Sequence, residues 1–206
     1  MRKSILYTSV VALFLASCQS EPVVEHYLSV NGEIEGAQGK FIKIIDMTKS
    51  GFVPDSIMLD ENGRFAFSQK CDEPTDFVLY IEPEENIRIL PCPDEQVAVV
   101  AKYPNISENY TVTGSQESER LAELLKKHNH YNYVLDTLNH YYMAHQLDRN
   151  FGDIVAEVRA LSDSVLVADR QLHERFIKQQ PGSLASYVAL SSKLGLRTNL
   201  FNIISD

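Results

Sequence analysis

The chain has 206 residues, of which 44% are hydrophobic and 23% charged, and this composition suits one large globular domain or two small ones. The formal net charge is −9, and it becomes −11 when Arg2 and Lys3 are removed with the leader described next. Such an acidic surface repels the phosphates of nucleic acids and anionic lipids, which argues against nucleic acid as a partner and against membrane contact through a basic patch.

Residues 1–17 have the pattern of an export signal. Arg2 and Lys3 precede an apolar run that ends at Ala16 and is too short to cross a bilayer as a helix. Small residues then lead directly into Cys18, which resembles a bacterial lipoprotein signal. The resemblance implies cleavage before Cys18, attachment of diacylglycerol to its thiol and acylation of the new amino terminus. The alternative is a soluble secreted protein with an incidental cysteine.

We therefore expect a lipoprotein of the cell envelope of a Gram-negative bacterium, anchored on the periplasmic side or at the cell surface. Its link to the membrane is the amino-terminal lipid. Residues 18–25 are predicted to form a short tether, because the polar stretch Gln19-Ser20-Glu21-Pro22 has little to pack.

Residues 26–113 have the pattern of a β-domain. The tetrapeptide at 60–63, Asp-Glu-Asn-Gly, predicts a hairpin between two alternating runs, and a second hairpin is predicted around residues 82–86. Short strands at regular intervals predict an antiparallel β-sandwich or an open barrel. The predicted strands lie at 27–30, 41–45, 56–60, 64–68, 77–81, 87–90, 97–101 and 110–113.

Residues 114–206 are predicted to form a helical domain, which makes the fold α+β. Ser115 is a good N-cap, and apolar or aromatic-like residues then recur every three or four positions as far as His145. A second stripe follows, with Asp153 as its predicted cap, so two long helices should lie antiparallel. Ser183 is the predicted cap of a short third helix that ends near Gly195.

The cysteines outside the leader are Cys71 and Cys92. If Cys18 carries lipid, this even pair permits one structural disulfide in an oxidising compartment, and the alternative is two buried thiols. Their spacing excludes a Cys-x-x-Cys motif, so the chain has no redox motif and no cysteine-rich metal site of its own.

The six histidines do not have the spacing of metal ligands on a helix. Neither His128 with His130 nor His140 with His145 is separated by one helical turn, and His128 and His145 fall on the packing stripe. We therefore expect no metal and no other cofactor. No Gly-x-Ser-x-Gly or His-Glu-x-x-His motif occurs, so the chain is predicted to be non-enzymatic.

The first long helix is rich in tyrosine. Amphipathic aromatic side chains are common where one edge packs and the other meets a partner, so this helix is a candidate binding surface. The alternative is packing within the core or between domains. The candidate residues are Tyr131, Tyr133, Tyr141 and Tyr142.

Four phrases, taken in order, resemble the amino-terminal region of TlpA/ResA-like thiol-disulfide oxidoreductase lipoproteins. In that family a β-rich domain of unknown function and a helical segment precede a thioredoxin domain. That domain and its Trp-Cys-x-x-Cys motif would begin beyond Asp206, and the chain has no Trp. The phrases are Gly32-x-Ile34-x-Gly36-Ala37-x-Gly39-Lys40, Gly51-Phe52-Val53-Pro54-Asp55-Ser56, Tyr110-x-Val112-x-Gly114-Ser115 and Phe176-Ile177-x-x-x-Pro181-x-Ser183-x-Ala185-Ser186.

The resemblance implies a non-catalytic accessory module that contacts a protein substrate or a second copy of the chain. The alternative is a stand-alone envelope lipoprotein that binds a peptide, a glycan or a partner protein. A hydrolase with a dispersed active site is a third hypothesis, and no motif points to it.

Overall fold

The computed structural model describes residues 25–50, 54–82 and 85–193. The described elements are eight strands followed by three helices, which confirms the predicted α+β class. The strands are β1 (Tyr27–Glu35), β2 (Phe41–Asp46), β3 (Asp55–Met58), β4 (Arg64–Lys70), β5 (Phe77–Tyr80), β6 (Asn86–Ile89), β7 (Gln96–Lys102) and β8 (Tyr110–Thr113). The helices are α1 (Gln116–Ala144), α2 (Phe151–Gln179) and α3 (Leu184–Lys193).

The strands form two four-stranded sheets that are not closed into a barrel. One sheet has the order β4-β1-β7-β8 and the other the order β3-β2-β5-β6. All neighbouring strands are antiparallel except β1 and β7, which run parallel. Of the two predicted arrangements, the sandwich is the one that forms.

Alternating burial along the strands builds the core between the sheets. Leu28, Val30, Gly32 and Ile34 of β1 are buried, and the residues between them are exposed or half-buried. Ile42 and Ile44 of β2 alternate in the same way in the other sheet. A period of two places alternate side chains of a strand on the same face, so each sheet contributes one apolar face to the core.

The hairpin predicted around residues 60–63 is wrong, although the turn itself forms. Gly63 N donates to Asp60 O at 3.0 Å, and the backbone of Arg64 donates to Asp60 Oδ1 at 2.8 Å. However, β3 pairs with β2 in one sheet and β4 pairs with β1 in the other. Turn chemistry reverses the chain locally but does not select the strand partners, and here the turn joins the two sheets. The second hairpin, β5 with β6, is confirmed.

Helix α1 begins as predicted, because Ser115 Oγ accepts a hydrogen bond from Ser118 N at 3.4 Å. Helix α2 begins earlier than predicted. Phe151 is its first residue and Asn150 its N-cap, so Asp153 lies within the first turn and does not cap it. Backbone hydrogen bonds from Phe151 N to Asp148 O and from Asp153 N to Asn150 O already impose helical geometry there.

A carboxylate of α1 holds the start of α3. Glu117 Oε2 accepts hydrogen bonds from Ser183 Oγ at 2.5 Å and from Ala185 N at 2.9 Å. Ser183 therefore precedes the helix as predicted, but the acceptor for the amide of Ala185 comes from α1. Burial raises the pKa of Glu117, but hydrogen bonds from Ser183, Ala185 and Arg120 lower it by more, so the pKa lies below its ordinary value.

The long helices are antiparallel, as predicted. His128 contacts the carboxylate of Asp169 near one end of the pair, and the ring of Tyr142 lies 5.4 Å from that of Phe151 near the other. Each helix has 29 residues and is therefore about 43 Å long. Among the described helices, none combines the length and the hydropathy that a transmembrane span requires.

The amino-terminal half of α1 is packed against the sandwich, as far as Asn129, whose side-chain amide donates to Ser107 O at 3.0 Å. Leu121 is fully buried in a cluster with Leu90, which follows β6, and with Ala185 and Val188 of α3. Leu125 and Phe176 pack against the edge of this cluster. The helical pair is therefore fixed to the sandwich at one end.

Candidate functional site

The part of the helical pair away from the sandwich is poorly covered. We call residues 129–172 the distal hairpin. Within it, Ile154 is the single buried residue, although each helix continues for several turns. Each of the two helices covers the apolar face of the other only along the line where they meet, which we call the seam. Apolar residues on this seam, such as Leu135, Leu138 and Val165, are therefore half-buried.

The distal hairpin also exposes large apolar side chains. Leu147 at the tip is 99% exposed and Tyr133 is 60% exposed. Single exposed apolar residues are normal on protein surfaces, whereas a larger number of them on one pair of helices makes that pair a candidate interaction surface. The series is Tyr133, Tyr141, Met143, Leu147, Val155, Leu161, Leu166 and Val167.

The structure divides the four candidate tyrosines into two pairs. Tyr131 and Tyr142 are half-buried, and Tyr142 packs against Phe151. Tyr133 and Tyr141 are exposed. Tyr133 also lines a groove of about 340 Å³ together with Glu108, Asn109, Lys126 and His130. Tyr133 and Tyr141 are therefore the part of the predicted set that is exposed to solvent.

A polar cluster lies between the helices where the distal hairpin meets the packed base. His128 Nδ1 of α1 is 2.8 Å from Asp169 Oδ1 of α2, and His173 Nδ1 is 3.4 Å from the same oxygen. His173 Nδ1 also donates to the main-chain oxygen of Asp169 at 2.9 Å. The two imidazole rings meet edge to face, with centroids 5.3 Å apart. We call these three residues the His–Asp–His cluster.

The cluster holds a charge away from solvent. The side chains of His128, Asp169 and His173 are 8%, 13% and 4% exposed. Burial raises the pKa of Asp169, but hydrogen bonds with His128 and His173 lower it by more, so the pKa is well below its ordinary value. Asp169 is therefore an ionised carboxylate between two imidazoles.

Sequence analysis missed Asp169 and His173. They are four residues apart on α2, which is one helical turn, and this spacing was available as a signal. Spacing along one helix relates Asp169 to His173 only, whereas His128 of this cluster lies on α1. The register between the helices brings the three together.

The structure describes two of the three cysteines for which predictions were made. Cys18 lies outside the described residues. Cys71 is buried and Cys92 half-buried, and both are free thiols in the structure. Burial raises the pKa of both thiols, and Cys71 adds to the rise at Cys92. Raised thiol pKa values disfavour redox catalysis by these residues, and their pairing in a disulfide stays a prediction.

Comparison with known protein families gives one match. Residues 28–121 match the family model described as Domain of unknown function (DUF4369). The matched region covers the strands of the sandwich and ends at Leu121, in the packed first turns of α1. No curated protein and no solved structure matches the chain. The match thus corresponds to the sandwich with its docking turns, and the distal hairpin lies beyond it.

Proposed function

We propose that this chain is the non-catalytic, lipid-anchored amino-terminal module of a TlpA/ResA-like thiol-disulfide oxidoreductase of the bacterial envelope, and that its distal hairpin binds a protein partner. The observation that carries the proposal is the half-open seam of the distal hairpin with its outward aromatic and aliphatic side chains. The lipoprotein-type leader and the four phrases described above support the anchor and the family.

Protein is the partner class that best suits this surface. Exposed Tyr133, Tyr141 and Met143 are residue types enriched at the centres of protein interfaces. A third helical or sheet layer placed on the seam would complete the burial of Leu135 and Leu138. In the proposed function this layer belongs to the thioredoxin-like domain, to its protein substrate or to a second copy of the chain.

The first experiment measures the intact mass of the product isolated by antibody from native membranes. A lipidated species far heavier than the 23.3 kDa of this chain, with a thioredoxin-like domain in its peptides, supports the accessory module. A mass that equals residues 18–206 plus acyl groups contradicts it and favours the stand-alone lipoprotein.

A second experiment tests the distal hairpin. A photoreactive phenylalanine analogue replaces Tyr133, and in a matched control it replaces Tyr187, which is 69% exposed on α3. We expect irradiation of native membranes to crosslink position 133 to a thioredoxin-like domain, its substrate or a second copy, at several times the yield of position 187. Equal yields at both positions would contradict a dedicated surface on the distal hairpin.

A further inference from the structure

We propose that the His–Asp–His cluster is a binding site for a divalent transition metal, Zn²⁺, which joins α1 to α2 at the base of the distal hairpin. This inference is independent of the proposed function. Its ligands are His128, Asp169 and His173, one nitrogen from each imidazole and one oxygen from the carboxylate.

The geometry suits a metal of this size. One donor atom from each of the three side chains lies within 4.8 Å of the others. A tetrahedral zinc site with bonds of about 2.0–2.1 Å places its ligand atoms about 3.4 Å apart, so side-chain shifts of about 1 Å close the shell. Three protein ligands with a solvent molecule in the fourth position form a common zinc coordination.

The donor set selects the class of metal. Two imidazoles and one carboxylate favour Zn²⁺ and its neighbours over Mg²⁺ and Ca²⁺, which prefer oxygen ligands alone. Asp169 contributes a carboxylate to the set, and a carboxylate ligand supplies negative charge that a buried dication requires. The metal would take the place of the N–H through which His128 Nδ1 now contacts this carboxylate.

Each histidine has a second contact of the kind that orients a metal ligand. His173 donates Nδ1–H to the main-chain oxygen of Asp169, and this tautomer has the lone pair on Nε2. His128 Nε2 lies 2.9 Å from the amide nitrogen of Asn132, one turn along α1. With the amide group turned over, Asn132 accepts a hydrogen bond from Nε2–H, which leaves His128 Nδ1 for the metal.

The test is titration of the purified full chain with Co²⁺, which substitutes for Zn²⁺ and has visible absorption bands. We expect one equivalent to give the spectrum of a four-coordinate site and Zn²⁺ to abolish it. His128→Gln, Asp169→Asn and His173→Gln should each weaken binding by about 100-fold, and Asn132→Ala by about 10-fold. His140→Gln, which changes an exposed histidine of the same helix, should have no effect.

A measurement on the unaltered protein tests the same site without depending on the folding of a variant. In imidazole NMR spectra, one equivalent of Zn²⁺ should shift the ring nitrogens of His128 and His173 and leave those of His140 unchanged. The absence of a saturable Co²⁺ spectrum would overturn the proposal. A spectrum that persists in His173→Gln, or Zn²⁺ shifts confined to other histidines, would overturn it as well.

Discussion

The ring of Phe65 packs directly against the backbone of β1 at Gly32. Gly32 occupies an inward position of β1, directly opposite Phe65 of β4. A Cβ at Gly32 would lie 2.0 Å from Cε1 of that ring. The ring is buried, so it has little room to move aside. The sandwich therefore depends on the absence of a side chain at this position.

The first prediction compares two Gly→Ala changes. Gly32→Ala should lower the free energy of unfolding by about 1–3 kcal/mol because the ring must shift within a packed core. Gly152→Ala should raise it by about 0.5–1 kcal/mol, since this helical position has open space around it. Urea unfolding of both variants and of the unaltered chain measures the difference. A stability for Gly32→Ala equal to that of the unaltered chain would contradict the packing argument.

The second prediction concerns the pH dependence of the contact between α1 and α3. The pKa of Glu117 is lowered on folding, so its charged form stabilises the fold above the ordinary carboxyl pKa. This contribution is lost as the pH falls through the folded-state pKa. Glu117→Gln should therefore reduce the free energy of unfolding by about 1 kcal/mol at pH 7, with a smaller difference near pH 3. Glu123→Gln, at an exposed position of the same helix, is the control. A pH-independent difference would contradict the charge argument.

At the scale of elements, periodicity predicts which residues form strands and helices but not which strands become neighbours. The alternation around residues 60–63 predicts two strands and a turn, and all three form. Their assignment to different sheets depends on β2, the strand before β3, and on β1, which lies farther back along the chain. The parallel pairing of β1 with β7 is likewise a long-range outcome, which a local pattern does not contain.

The candidate site was only partly predictable, because spacing along the chain does not determine which residues of two helices meet. Spacing identifies the tyrosines of α1, but only the partner helix determines that Tyr142 packs while Tyr133 points outward. Asp169 and His173 share a helical face by spacing alone. Their meeting with His128 depends on which turn of α1 faces them, and this is a property of the helical pair.

The third prediction compares two leucines of α1. Leu121→Ala removes a fully buried side chain at the docking cluster and should reduce the free energy of unfolding by about 2–5 kcal/mol. Leu135→Ala lies on the half-buried seam and should reduce it by about 1 kcal/mol or less, because part of its surface is already in water. Equal losses in chemical denaturation would show that the seam is covered in solution.

At the scale of the whole molecule, the sandwich contains the main apolar core, and the long helices carry the series of exposed apolar side chains. The apolar core lies between the two sheets, and a smaller cluster fixes the helices to the end of β6. The distal hairpin extends past both. The core between the sheets therefore lies almost entirely within the region that matches the family model. The distal hairpin, which carries the proposed binding surface, lies outside that region.

The fourth prediction concerns the two cysteines in the mature protein. In an oxidising envelope we expect Cys71 and Cys92 to be joined, which would stabilise the fold by about 3 kcal/mol through closure of a loop of about 20 residues. Protein isolated without reductant and unfolded in iodoacetamide should carry no label at either residue, and it should be labelled at both after reduction. Labelling without reduction would contradict the disulfide. Cys92→Ser provides a reference in which Cys71 is always labelled.

The place of β1 within its sheet has a mechanical consequence. It is the first strand of the described residues, yet it lies between two others, paired over Tyr27–Glu33 with β4 and over Ser29–Glu35 with β7. A force applied to the amino end along the strand loads the hydrogen bonds on both sides together, in shear, and does not open them one at a time. A pull on that end therefore has to break the two hydrogen-bond ladders of β1 together before the sandwich unfolds.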